Sequence, residues 1–423
     1  MKKRFFPLLL SFSLLSGCAA GAVSPVPTPS GSVSPVELIQ NDPQPIGAAV
    51  CLSEGLGETY SAFALELLRQ SRTEGENALL SPLSVLLALG MTANGADGDT
   101  LAQFATALGM GRDALNSLCA RFLADYSGLG GSTESTLLNS LWADPDLTLN
   151  DPFVLRCQDT YKAQLFKADL QSPATVQALN DWVSDATRGL IPSIVDEFDD
   201  RAVLALVNAI YLKNKFETPF PEPHSEWTID FHNADGSLSQ PRGMSAERTM
   251  TYLSREDAQG VVLPYDDGRL GLLLLLPDEG MGLTDCLSAW DGATLSGLLA
   301  GREERQVDLV MPKFKAEWSG SLAEPLAAMG LTDAFDPNLA DFTSMGACSD
   351  GPLYMGDVIH KTAFEVNEKG TEAAAVTAVI MEDGSAMPPQ DMIVLRYDRP
   401  FVYGIVDLEL GVPLFLGTME HMD

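Results

Sequence analysis

The chain predicts a mixed α and β protein, in which one large folded body follows a short non-globular leader. Three observations carry this. Helical periodicity dominates the first half of the body, short apolar segments bounded by Gly, Pro or Asp dominate the second half, and no linker-like stretch interrupts the chain after about residue 47. With 46% hydrophobic and 20% charged residues over 423 positions, there is enough apolar material for a large core. No repeat of 20 to 50 residues is present, which removes solenoids and propellers.

The leader comes first. Lys2, Lys3 and Arg4 precede an apolar run from Phe5 to Leu15, too short for a bilayer that needs about 20 residues, so residues 1–17 read as a signal peptide. Small residues before Cys18 resemble a bacterial lipobox, which implies cleavage before Cys18 and lipidation of its sulfur. Residues 18–46 are rich in Pro and Ser and read as a tether. The 27 residues from Ala19 to Pro45, at roughly 3.1 Å each, could hold a body spanning 47–423 up to about 80 Å from a membrane. The implied product is an exported lipoprotein on the outer face of a bacterial cell, meeting the membrane only through its lipid.

Within the body, Thr59 to Arg69 places Tyr60, Phe63, Ala64, Leu67 and Leu68 on one helical face, and Leu83 to Met91 forms a second, almost wholly apolar helix after Ser81-Pro82. Val176 to Thr187 repeats the helical pattern. Val203 to Leu212 is too apolar and β-branched for a surface element and predicts a central strand buried on both faces. Further strands are expected at 271–276, 307–311, 401–406 and 414–416.

The charge excludes several partners. A net charge of −32, taken to −35 by loss of Lys2, Lys3 and Arg4 with the leader, makes binding to nucleic acid or anionic lipid electrostatically repulsive. Cys51, Cys119, Cys157, Cys286 and Cys348 show neither C-x-x-C nor regular spacing, so buried free thiols are expected rather than a zinc site. The four histidines, His224, His232, His360 and His421, sit in no hydrolase or metal motif. The G-x-G-x-x-A run at Gly109 follows a helix-like segment, where a dinucleotide site needs a strand. No catalytic residue, metal or cofactor is expected, and the protein is not read as an enzyme.

Asn77 to Thr100 carries Asn-x-x-x-Ser-Pro-x-Ser, Ala-Leu-x-Met and Gly-Ala-x-Gly-x-Thr in order. Later come Asn180-Asp181-Trp182-Val183, Val207-Asn208-Ala209-Ile210-Tyr211, Val262-Leu263-Pro264-Tyr265, Met311-Pro312-Lys313-Phe314, His360-Lys361, Glu368 to Ala375 (EKGTEAAA) and Leu414-Phe415-Leu416-Gly417. From Thr59 to Met419 this series resembles the serpin family. The resemblance implies an α+β fold of three β-sheets with eight or nine helices and an exposed reactive-centre loop. It also implies inhibition of serine proteases, in which the cleaved loop inserts as a new strand into the main sheet and traps the acyl-enzyme. A monomer is expected.

That mechanism makes demands the residues can meet. The hinge Glu368, Lys369, Gly370, Thr371, Glu372, Ala373, Ala374, Ala375 is built of small residues beyond Lys369, with Glu372 the only charge from Gly370 to Met381 and no Pro before Met387, so it can slip between strands about 4.8 Å apart. By resemblance, His360 joins Ser81, Ser84 and Asn208 in a polar network beneath the sheet, and Glu368 pairs with Lys313 at the top of the loop. Phe216 stands where the family usually has Trp. Sixteen residues on from Glu368, the family's spacing puts the scissile bond at Gly384-Ser385, with Ala386 and Met387 as alternatives; cleavage at Met387-Pro388 itself is disfavoured. All but Met387 are small, and no Lys or Arg lies between Lys369 and Arg396, so elastase-like or subtilisin-like proteases fit better than trypsin-like ones. The alternative is a non-inhibitory serpin-fold surface binding protein or a plain protease substrate.

Overall fold

The computed structural model describes residues 36–37, 55–221, 226–349, 351–371 and 392–422. Among these, nine α-helices and nineteen strands build two large sheets and two short two-stranded ribbons.

The expected helices form, each slightly longer than its apolar face suggests: Leu56–Ser71, Pro82–Ala93 and Pro173–Ala186. Pro82 occupies the first turn, where its missing N–H is harmless, and the Ser81 hydroxyl caps the helix by accepting from the Ser84 N–H at 3.2 Å. Leu83, Leu86, Leu87 and Met91 are all buried, because this helix runs through the core instead of over it. Gly109 ends the helix Gly98–Leu108 at φ 69°, a left-handed cap suited to glycine, and Gly111 begins the next helix, Arg112–Tyr126. The G-x-G-x-x-A run is therefore a helix–helix joint.

One strand of the eight-stranded sheet changes partners along its length. Gly243–Ser254 pairs with Glu303–Pro312 along Gly243 to Tyr252, but with Ala258–Pro264 only from Thr251 to Ser254. That strand joins the two parts of this sheet, so two of the three expected sheets are continuous through it. The strands Leu270–Pro277, Phe401–Asp407 and Val412–Met419 are buried along their whole length and are almost entirely apolar, Asp407 being the one charged residue among them, paired with Arg269 at 2.7 Å. Against them pack Phe314 and Phe364 from the seven-stranded sheet, with ring centroids 5.1 and 5.6 Å from Tyr403.

The seven-stranded sheet runs in the order Val36–Glu37, Gln164–Lys167, Glu134–Ala143, Leu204–Lys215, Gly370–Thr371, Ile359–Asn367, Phe314–Ser321. Its first half carries a separate small core in which Trp142, Phe166, Leu179, Trp182, Val183 and Val207 pack under the helix Pro173–Ala186. The strand expected at Val203 to Leu212 is present as Leu204–Lys215, but it is not buried on both faces: Leu204, Ala205, Leu206, Asn208 and Ile210 are all half-exposed. The reason is its position at the margin of an opening in the sheet.

Candidate functional site

Leu204–Lys215 and Ile359–Asn367 are parallel, and the sheet order separates them by a strand only two residues long. Gly370 lies opposite Lys215 and Asn367; Thr371 lies opposite Asn214 and Val366. The turn feeding this short strand is held from several sides. Phe216 and Phe220 donate their N–H groups to the carbonyls of Lys369 and Glu368, both at 2.8 Å. The Glu368 carboxylate forms an ion pair with the Lys313 ammonium, both side chains largely shielded from water. The fully buried Thr371 hydroxyl shares a hydrogen bond with the Tyr265 hydroxyl, and burial raises the Tyr265 pKa so that the phenol keeps its proton. Phe216 stacks on Tyr265 with centroids 5.5 Å apart and planes within 3°. Gly370 has φ +150°, and a Cβ there would come within 2.1 Å of the Asn214 carbonyl oxygen. Only glycine fits this point.

Below Thr371 a cavity of about 750 Å³ continues between the two long strands, walled by Leu204 to Ile210 on one side and Val358 to Ala363 on the other, with Ser81, Ser84 and Phe415 at its floor. The floor is polar and ordered. Ser81 donates its backbone N–H to His360 Nε2 at 3.0 Å and its hydroxyl to the Leu414 carbonyl at 3.0 Å. Thr362 donates to the Leu79 carbonyl at 2.6 Å. Burial lowers the His360 pKa to about 4, leaving a neutral ring whose Nε2 is free to accept.

One member expected in this network is elsewhere. Asn208 lines the same cavity but on the opposite wall, donating Nδ2 to Asn139 Oδ1 at 2.9 Å and to the Leu138 carbonyl at 3.2 Å. Its Oδ1 is buried without a partner among the described residues. The four-member network is thus a Ser81–Ser84–His360 cluster facing an Asn208–Asn139 pair, because the opening separates the strands that carry them. Glu372, Ala373, Ala374, Ala375, Gly384, Ser385, Ala386, Met387 and Cys18 lie outside the described residues. Cys119, Cys157 and Cys286 are free and buried, and Cys348 is free and half-buried. In the sequence Tyr265 stands in the Val262-Leu263-Pro264-Tyr265 motif without a visible role, and Phe220 and Asn139 stand in no motif. Nothing in their local sequence marks them, since each acts through a partner 69 or more positions away.

Comparison with known proteins agrees with this geometry. The family model described as Serpin (serine protease inhibitor) matches residues 58–422. The leukocyte elastase inhibitor of Sus scrofa is 32% identical over 390 residues, covering 87% of this chain and 99% of its own. Antithrombin-III of Homo sapiens is 31% identical over 381 residues, covering 86% and 82%. The thermophilic serpin Tengpin in its native state superposes with a TM-score of 0.84 at 32% identity, over 92% of this chain and all of its own. The chain belongs to the serpin family, whose members are in general protease inhibitors rather than catalysts.

Proposed function

We propose that this serpin is an inhibitory suicide substrate of serine proteases with elastase-like or subtilisin-like specificity. The observation that carries the reading is the slot: two parallel strands held apart, with Gly370 and Thr371 already laddered between them at its head. Continuing that register sets residue 372 opposite Lys213 and Glu365, and residue 378 opposite Val207 and Ile359. Residues 373, 375 and 377 then share the buried face of Thr371, and they are Ala, Ala and Thr. At about 1 kcal/mol per backbone hydrogen bond, closing both walls over some seven residues releases on the order of 10 kcal/mol.

Chemically, the protease serine Oγ attacks the Gly384 carbonyl carbon, the Gly384–Ser385 bond breaks, and the Ser385 nitrogen leaves with a proton as a new amine terminus. The ester to Gly384 remains. Its loop, freed at one end, enters the slot and carries the protease with it before water hydrolyses the ester. Ser385, Ala386 and Met387 would shift the cleaved bond without changing this step. Glu368 and Lys313 hold the hinge, and Ser81, Ser84 and His360 hold the floor where the strands part. The small residues near the bond, and the likeness to a protein named for inhibiting leukocyte elastase, support the specificity. We further read the protein as a monomeric, exported lipoprotein: a signal peptide over 1–17, a lipid on Cys18, a tether over 18–46 and the serpin body over 47–423, displayed at the bacterial surface.

Mixing the chain with elastase, subtilisin and trypsin tests the reading on denaturing gels. A covalent band of summed mass with elastase or subtilisin, and release of a C-terminal peptide starting at Ser385 or within about two residues of it, is the expected result. Cleavage of the loop by every protease with no covalent band would overturn inhibition and favour a substrate or binding role.

A further inference from the structure

The outer edge of the seven-stranded sheet is covered by the chain's own N-terminal extension. Val36–Glu37 runs antiparallel to Gln164–Lys167, with Val36 opposite Lys167 and Glu37 opposite Phe166. The other side of Gln164–Lys167 pairs with Glu134–Ala143, so among the described residues it would without Val36–Glu37 be a bare edge offering unpaired N–H and C=O groups to any passing strand. The sequence is suited to the task. Val36 to Asp42 is the longest proline-free stretch between Pro25 and Pro45, and only such a stretch supplies consecutive backbone donors. Pro35 immediately before it is tolerated because a strand's first residue need not donate.

The position of this contact matters as much as its existence. Gln164–Lys167, Glu134–Ala143 and Leu204–Lys215 are continuously laddered, ten residue pairs joining the last two, and all three rest on the small separate core that contains Trp142 and Phe166. Any widening of the slot moves these three strands as one block relative to Ile359–Asn367. We infer that Val36–Glu37 is a built-in edge strand by which the N-terminal extension grips the movable half of the sheet, on the side away from the slot. One consequence rests on the lipid-anchor reading: the free spacer is then only the residues between Cys18 and Val36, about 18 at ~3.1 Å each, or roughly 56 Å in place of about 80 Å. A membrane anchor would then pull on the block that has to move.

Cross-linking in the full chain tests the pairing without reference to inhibition or lipid. Directly opposed antiparallel residues have Cα atoms about 4.5–5.5 Å apart with side chains on one face, within the span of a disulfide. The V36C/K167C variant is expected to close an intramolecular disulfide under mild oxidation at low protein concentration at least tenfold faster than the register-shifted E37C/K167C variant, with the linkage read by peptide mass. Equal rates overturn the inference, and so does a cross-link found only in dimers, which would give the edge to a second copy. Hydrogen exchange adds a second readout: the Glu37 amide is expected to be protected at least tenfold over the Ser32 and Ser34 amides, and Leu38→Pro is expected to abolish that protection while leaving the body's exchange unchanged. Absence of any such protection overturns the inference even where the protease assay succeeds.

Discussion

His360 makes the stability of the slot floor depend on pH. Its ring is buried and its Nε2 accepts from the Ser81 N–H at 3.0 Å, so a proton on that nitrogen would set donor against donor. Burial brings the pKa from 6.5 to about 4. In the unfolded chain the ring binds its proton near 6.5, so the folded state binds fewer protons between these values and loses stability as pH falls through that window. The full loss is about 3 kcal/mol, of which about 2 kcal/mol has gone by pH 5. Many carboxylates also titrate near pH 5, so the wild type alone cannot isolate the effect. His360→Gln keeps an acceptor for the Ser81 N–H without the titration. Urea unfolding at pH 7.5 and 5.0 should show the wild type losing about 2 kcal/mol more than the variant. Equal losses in the two proteins would refute the reasoning.

Three further changes probe the head of the slot. Glu368→Lys replaces the ion pair with Lys313 by two like charges and is expected to loosen the hinge, seen as ladders of polymer on native gels several-fold sooner than in wild type; an unchanged gel would mean that the backbone contacts from Phe216 and Phe220 suffice. Gly370→Ala places a methyl within 2.1 Å of the Asn214 carbonyl and should unseat the two-residue strand, raising exchange of the Thr371 amide at least tenfold while the remote strands Leu270–Pro277 and Phe401–Asp407 are unaffected. Thr371→Arg sets a cation where a fully buried hydroxyl meets Tyr265, so on the proposed mechanism the loop is still cut but the covalent band disappears; persistence of the band would show that insertion tolerates a charge there.

Much of this was legible in the sequence because the signals were local. The helices, the apolar strand Leu270–Pro277 and the apolar run Phe401 to Val406 announce themselves by period and bulk, and the order of motifs from Asn77 onward carries the family. What stayed hidden was relational. Leu204–Lys215 reads as a fully buried strand because Val, Leu and Ile fill it, yet several of these side chains are half-exposed beside the slot, which no local pattern encodes. The resemblance groups Asn208 with His360, whereas the register with Glu134–Ala143 puts it opposite Asn139. The edge strand at Val36–Glu37 lay inside a stretch whose composition speaks only of a tether.

The poorly satisfied polar groups are not scattered evenly; the strand beside the slot holds three of them. Asn208 Oδ1 and both polar atoms of Asn214 are buried without partners among the described residues, and Asn214 sits directly opposite Thr371. A sequence selected for stability alone would not keep an amide in a fully buried position with nothing to bond, since each unpaired group costs about 1–3 kcal/mol. Asn214→Val, close in volume and suited to a strand, should therefore raise urea stability by about 1–2 kcal/mol. A loss of stability would show that the amide has a partner after all. If stability rises while the covalent yield with elastase falls, the amide is kept because it leaves the strand less firmly settled, and a sheet that opens on the proposed mechanism is served by a wall that is not fully satisfied when shut.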